Sequence, residues 1–446
     1  MKFLHIKSIF LRSLLAGGLL LGGSACELDQ LSDPNNPSID LVESAALSEI
    51  QNLVSGTEAG MRNRLGTYID DVSVIGRDYW RFSGSDPRFT SDLLGEASST
   101  LDNNTFYTTG PYYEAYRTIK NASLLIEAVN NTPADISDTE KAHIRGFAKT
   151  IKAYSLLLAL NLQNENGIRT DVEDPDNLGP FRSPAEALSD IAALLDEANG
   201  DLGGNAAAFA FELSAGFDGF DTPATFRQFN RGLAARVDAY RQDFAGVLSA
   251  LDDSFFSLSG SLEAGPSYFF STAGGDAVNP LYLPRNQNGE IRLTHPSFVA
   301  EAEAGDQRLG KVAERDAGDV TLGTSGLAGR YDVWIYRSPE AFVPILRNEE
   351  LVLLYAEANI QQGNTAEAIT ALNVIRNSAG LADYGGDTSG DALIDEMLQQ
   401  RRYSLFAEGH RWIDMRRYGR LNELPIDRDG DDVWVSFPRP ANEEGQ

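Results

Sequence analysis

Two short aromatic stretches hold most of the residues in this sequence that could recognise a ligand. Tyr79, Trp80, Arg81 and Phe82 run together and are followed by Asp86 and Arg88; Tyr331, Asp332, Trp334, Tyr336 and Arg337 repeat the same mixture. An aromatic ring covers the apolar face of a sugar, while carboxylates, amides and guanidinium groups meet its hydroxyl rim. Tyr79, Trp80, Arg81, Phe82, Arg88, Tyr331, Trp334 and Tyr336 are therefore the candidate ligand contacts, with Asn103 and Asn104 as weaker ones. A plainer reading stands beside each stretch. Trp80 could fill a loop core, and the alternation of Tyr331, Val333 and Ile335 could mark a strand packed inside.

Catalytic and metal chemistry have less to stand on. A glycosidase needs two carboxylates placed across a cleft, and with 65 acidic residues chance pairs occur everywhere. No Gly-x-Ser-x-Gly elbow, phosphate-cradling loop or His-Glu-x-x-His motif is present. Cys26 is the single cysteine, so the chain cannot close a disulfide on itself, and its four histidines form no ligand pair. No catalytic residue and no cofactor is expected. One metal candidate remains at Asp427, Asp429 and Asp431, with Asp432, around Gly430. Hard oxygen ligands at alternate positions suit calcium, although a solvated turn explains the same residues.

The formal net charge of −28 excludes nucleic acid as a partner, because such a surface repels phosphate. Acid-rich surfaces with few lysines also suit high salt, where self-repulsion is screened.

The first residues read as an address. Lys2, Lys7 and Arg12 precede or open the apolar run Ile9–Leu21, and Ser24 and Ala25 stand before Cys26. A basic start, an apolar centre and small residues at the cut define an export signal over 1–25. The surroundings of Cys26 resemble a bacterial lipoprotein signal, which implies lipidation there and an outer-membrane anchor of several acyl chains. The alternative is ordinary cleavage that leaves a free thiol. Glu27 and Asp29 resemble a surface-export signal, and Pro34 and Pro37 make 26–44 an extended tether.

Beyond residue 45 the pattern is mostly helical. Spacings of three and four place apolar residues on one face over Ala45–Arg64, Pro111–Val129, Ser137–Asn161, Arg347–Gln362, Thr365–Ser378 and Asp391–Glu408. Ser183-Pro184 and Thr222-Pro223 each open a further helix, the second reaching about Ser249. Such hairpins resemble tetratricopeptide units, in which each pair buries its apolar face on the next. Residues 68–110 and 251–346 show no lasting period. They read as structured loop with short strands at Tyr268–Phe270 and Tyr331–Tyr336. The expectation is a mostly α fold in one domain, 45–446. Helical hairpins at about 45–67, 111–250 and 347–420 scaffold two long irregular insertions with short β elements.

The C-terminal stretch is the most specific. Gln400-Arg401-Arg402, Leu405, Glu408-Gly409-His410-Arg411-Trp412, Asp414 and Arg416-Arg417 resemble the signature of the SusD/RagB family. Residues 347–362 and 363–381 are similar to its preceding repeat, and Phe437-Pro438 with Glu443 to its closing element. The resemblance implies a SusD-like helical lipoprotein on the extracellular face of the outer membrane. It implies a SusC-like TonB-dependent transporter barrel as partner, and an oligosaccharide or peptide as ligand. It also implies binding rather than catalysis. Arg401, Arg402, Glu408, Gly409, His410, Arg411, Trp412, Asp414, Arg416 and Arg417 read as an architectural set, since Arg forks pair with carboxylates and a Trp anchors a turn. Competing readings are a surface scaffold of the transporter complex and a surface hydrolase.

Overall fold

The computed structural model describes residues 44–174, 176–204 and 207–443. The export signal, Cys26 and the tether as far as residue 43 lie outside the described residues.

Helix α1 (Leu47–Arg62) starts where a Glu49 carboxylate oxygen accepts the Ala46 N–H at 2.7 Å. It buries Ile50, Leu53, Val54 and Met61. Gly60 has a packing role, because a Cβ there would lie 2.8 Å from the Thr118 hydroxyl. Arg64, at φ 56°, turns the chain into α2 (Leu65–Ile75). The absence of a lasting period from residue 68 onward predicts loop there, whereas the structure continues α2 to Ile75. Every residue of α2 except Thr67 is buried, including Asp70 and Asp71. A helix covered on all sides shows no amphipathic period.

Strand β1 (Tyr79–Ser83) follows. Helix α3 (Phe106–Asn131) begins five residues before the expected Pro111. Pro111 is the sixth residue of α3 and forgoes one backbone bond to the Tyr107 carbonyl, so here a proline stands inside the helix rather than marking its first turn. Helix α4 (Asp138–Gln163) is opened by a reciprocal cap: Ser137 N donates to Glu140 at 2.7 Å, and Glu140 N donates to the Ser137 hydroxyl at 3.2 Å. The hairpin β2 (Ile168–Arg169) and β3 (Phe181–Arg182) leads into α5 (Pro184–Asp201), capped by Ser183 and Glu186. Helix α6 (Pro223–Arg241) is capped by Thr222. It stops short of Ser249, because Gln242 takes φ 60° and Asp243 then starts a separate helix α7 (Phe244–Asp252) by accepting Gly246 N at 2.9 Å.

The middle carries β4 (Ser267–Tyr268), β5 (Glu290–Thr294), the short α8 (Pro296–Ala300), β6 (Val312–Glu314), β7 (Val320–Thr321), β8 (Ala328–Gly329), β9 (Tyr331–Val333) and β10 (Val343–Pro344). Both expected strands are shorter than their sequence pattern, and Tyr336 falls beyond β9. Regular structure resumes with α9 (Asn348–Gln361), α10 (Thr365–Ser378), α11 (Gly390–Ser404) and α12 (Arg411–Arg417). Helix α11 ends four residues before the expected Glu408, and positive φ at Ala407 and Gly409 turns the chain there.

Consecutive helices pack as pairs, α3 on α4, α4 on α5, α5 on α6, and α9 on both α10 and α11. One apolar cluster runs through α1 to α9 and α12. A second joins Val352, Leu353, Leu372, Ile375 and Met397 of the α9–α11 group. The largest sheet has the antiparallel order β1-β5-β9-β6, so the two insertions, far apart in sequence, join in a single sheet. Among the described residues no helix is long and apolar enough to cross a membrane.

Candidate functional site

Alternation along β1 sends Tyr79, Arg81 and Ser83 to one side of the sheet and Trp80 and Phe82 to the other. Opposite the first set stand Thr294, Arg292 and Glu290. On that side Arg292 clamps both oxygens of Asp70 at 2.6 and 2.8 Å, and the Tyr79 hydroxyl donates to Asp70 at 2.8 Å. Arg81 lies 3.4 Å from Asp70 and bonds Glu290, which accepts Ser83 at 2.6 Å. Burial pushes the Asp70 carboxyl up, but Arg292 and Arg81 outweigh it and hold it below its usual range. These groups form a charge-matched interior network.

Trp80 is 4% exposed. Its indole N–H donates to Asp427 at 2.8 Å, and its ring meets His295 edge-on with centroids 5.1 Å apart. Tyr79, Arg81 and Tyr336 are buried too. The expectation that Tyr79, Trp80, Arg81 and Tyr336 offer a ligand platform is therefore corrected. The Asp70 network holds Tyr79 and Arg81, and the C-terminal turn covers Trp80.

The acidic turn is corrected in the same way. Asp427 faces His295 Nε2 at 2.7 Å and Arg77 at 3.6 Å, and Asp431 pairs with Arg428 at 2.9 Å. Burial raises Asp427, yet its bonds to His295 and Trp80 leave its pKa lowered. With two carboxylates turned onto protein donors, Asp427, Asp429 and Asp431 do not converge on a calcium position. Among the described residues no group of three or more metal-ligating side chains comes together.

The remaining candidates keep part of their surface. Trp334 is half-buried and its ring leans on Tyr282, with centroids 6.4 Å apart and planes at 45°. Arg337 is exposed beside it and donates to the Gly310 carbonyl at 3.0 Å. Tyr331 and Phe82 are half-buried on β9 and β1, strands separated by β5. Arg88 is held by Asp86 at 2.6 Å and lies over the Phe106 ring at 5.0 Å. Tyr282 was not singled out from sequence; an isolated Tyr before Pro284 gives no signal until Trp334 is placed against it.

The C-terminal signature sits in the frame. Trp412 is fully buried, and its N–H donates to the Trp434 carbonyl at 2.7 Å. Arg401 bonds Asp414 at 2.7 Å, and Arg417 bonds Glu357 at 2.8 Å and Asp414 at 3.1 Å. Arg402 pairs with Glu301, Arg347 holds Glu408 at 2.8 Å, and Arg411 donates to the Gly76 carbonyl at 3.1 Å. Gly409, at φ 86°, turns the chain before His410, whose pKa burial lowers despite Glu350 at 3.7 Å. Each of these signature charges thus has a compensating partner or carbonyl, as burial of charge requires.

The same frame holds a cleft of about 550 Å³. It lies between the end of α4, the start of α5 and the turn after α12, and nothing in the sequence reading pointed to it. Arg416, Tyr240, Asn164 and Asn422 supply its polar atoms, and Leu188 and Leu421 part of its apolar wall.

Paired helices that carry a sheet-borne surface define a helical-repeat scaffold. Residues 335–442 match the family model described as SusD family. SusD-like protein P38 of Formosa agariphila is 36% identical over 88 residues, 18% of this chain and 18% of that protein. Over its C-terminal quarter the chain is thus similar to the SusD family. Its fold is similar to that of surface glycan-binding protein A from Bacteroides thetaiotaomicron, with a TM-score of 0.68 at 14% identity, covering 89% of this chain and 96% of that one. A structure under the same name in complex with laminarihexaose has a TM-score of 0.68 at 13% identity, covering 89% and 97%. A SusD superfamily protein from Bacteroides vulgatus has a TM-score of 0.63 at 14% identity, covering 89% and 96%.

Proposed function

We propose that this protein captures an oligosaccharide at the surface of a bacterial outer membrane, anchored through Cys26, and passes it to a SusC-like TonB-dependent transporter barrel without cleaving a bond. The observation that carries this reading is the half-exposed Tyr282–Trp334 pair beside the joint sheet, Trp334 just past β9 and Tyr282 in the turn before β5, flanked by the exposed Arg337. Two inclined rings beside a guanidinium suit a sugar's apolar face and hydroxyl rim. The glycan named with the B. thetaiotaomicron relative supports the ligand class. Phe82, Arg88 and Tyr331 keep part of their surface and stand as further candidate contacts.

The test is calorimetric titration of a soluble form lacking residues 1–26 against a panel of oligosaccharides and peptides. Trp334→Ala and Tyr282→Ala should each lower affinity for the bound glycan about ten-fold, roughly one aromatic contact, with the barrel complex intact. Burial of Tyr79, Trp80 and Tyr336 favours the competing scaffold reading, since it removes three rings from the candidate surface. That reading gains if neither substitution changes affinity.

A further inference from the structure

We propose that the 550 Å³ cleft in the helical frame is a second ligand site, which takes a carboxylate-bearing sugar by pairing it with Arg416. The site is separate from the Tyr282–Trp334 surface, and none of its residues is on the joint sheet.

The argument begins with the arginines of the C-terminal signature. Arg401, Arg402 and Arg417 each hold a carboxylate. Arg416 holds none among the described residues. It donates to two carbonyls, Val435 at 2.9 Å and Asn161 at 2.8 Å, and its guanidinium lies over the Trp412 ring at 4.4 Å. Five N–H donors are available on a guanidinium, so donors remain for an incoming group. Burial lowers Arg416 to about 10, which leaves it cationic at neutral pH. Arg411 is likewise held by a carbonyl, but only Arg416 lines a cleft: a half-buried cation with free donors, in a protein of net charge −28, offers that cleft an anion site.

The rest of the cleft describes what accompanies the anion. Its volume falls in the range of small-molecule sites. Tyr240 lines it, and its hydroxyl makes no hydrogen bond among the described residues. The amides of Asn164 and Asn422 add donors and acceptors at the rim, and Asn422 is exposed. Leu188, Leu421 and Val435 form an apolar wall, with Val435 exposed. Neutral amides, one hydroxyl, an apolar wall and one fork for a carboxylate together match a uronic-acid unit. Glu165 is the one acid on the lining; it forms no ion pair with Arg416, although its charge acts on that guanidinium through space. The choice of a sugar rests on the function proposed above; the preference for a carboxylate does not.

The experiment is titration of the soluble protein with trigalacturonate and with neutral galactotriose, at fixed ionic strength. The acid should bind at least about ten-fold more tightly than the neutral sugar, the scale of one charge-assisted fork. Arg416→Gln should abolish that preference. Because Arg416 also caps two carbonyls, two further variants keep the test decisive in a folded protein. Tyr240→Phe, which removes only the hydroxyl, and Asn422→Trp, which fills the mouth from an exposed position, should each weaken the acid several-fold without lowering the melting temperature. Equal affinity for the two sugars overturns the proposal. So does acid binding that survives Asn422→Trp, or that is lost in Trp334→Ala instead, which would assign the acid to the sheet. Tighter binding of a tripeptide with a free C-terminal carboxylate than of trigalacturonate overturns it as well. Failure of the sheet reading is seen separately, as unchanged neutral-glycan binding in Trp334→Ala.

Discussion

The indole N–H of Trp80 donates to Asp427 across 2.8 Å and 347 positions of sequence. This bond ties the first insertion to the turn that follows the C-terminal signature, and it turns a residue with the look of a ligand platform into a structural joint. Trp80→Ala should destabilise the protein by about 3–5 kcal/mol, the usual cost of deleting a large buried aromatic. Chemical denaturation measures the loss. Any fall in ligand affinity should disappear once the unfolded fraction is taken into account, unlike the fall in Trp334→Ala.

Arg236 grips both oxygens of Glu350 at 2.6 Å in the interior. Removing one partner of a buried pair leaves an uncompensated charge, at a cost of about 3–5 kcal/mol. Glu350→Gln should lower the urea midpoint accordingly. The double variant Arg236→Met with Glu350→Leu should recover most of the loss, since it leaves no lone charge.

Asp78 is buried where β1 meets the signature, and its carboxylate faces the Ala407 N–H at 3.4 Å. Burial raises its pKa from 3.8 to about 7, against the pull of Arg411 and Arg402. Between those values the folded chain keeps a proton that the unfolded chain has lost. The Asp78 contribution therefore falls as pH rises from about 4 to 7 and is level above that, at up to ~1.4 kcal/mol per pH unit. Asp78→Asn removes this slope. The stability of the variant relative to wild type should rise across that window, as read by denaturation at a series of pH values.

Gly167 combines φ 67° with a position where a Cβ would lie 2.1 Å from the Arg182 carbonyl oxygen. Gly219 has φ 81° and nothing within 4 Å. Both Ala substitutions incur the left-handed backbone cost of roughly 1–2 kcal/mol. Gly167→Ala adds a backbone clash and should lower the melting temperature clearly more than Gly219→Ala.

The helical frame was legible because its signals are local. Ser183-Pro184, Thr222-Pro223 and the Ser137–Glu140 pair mark helix starts within four residues, and α10 has the bounds that its spacing predicts. Helix α2 was invisible for the opposite reason, being buried on nearly all sides. The joint sheet was hidden because its strands are three to five residues long and β1 finds its partner about 200 residues away, as Trp80 does with Leu293. The candidate surface was half legible. Aromatic composition found Trp334, but only pairing across the fold separates it from Trp80 and brings in Tyr282. The cleft around Arg416 needed four helices, α4, α5, α6 and α12, in place before its lack of a carboxylate had any meaning.

Strand β5 hydrogen-bonds β1 along five residues, whereas its other neighbour meets it at one registered pair. Transplanting recognition between relatives is constrained by that arrangement. A graft carrying only 251–346 would arrive without its main backbone partner and present a bare edge, open to self-association. The heritable module is a composite of 79–83 and 251–346, and chimaeras should respect that seam rather than the order of the chain.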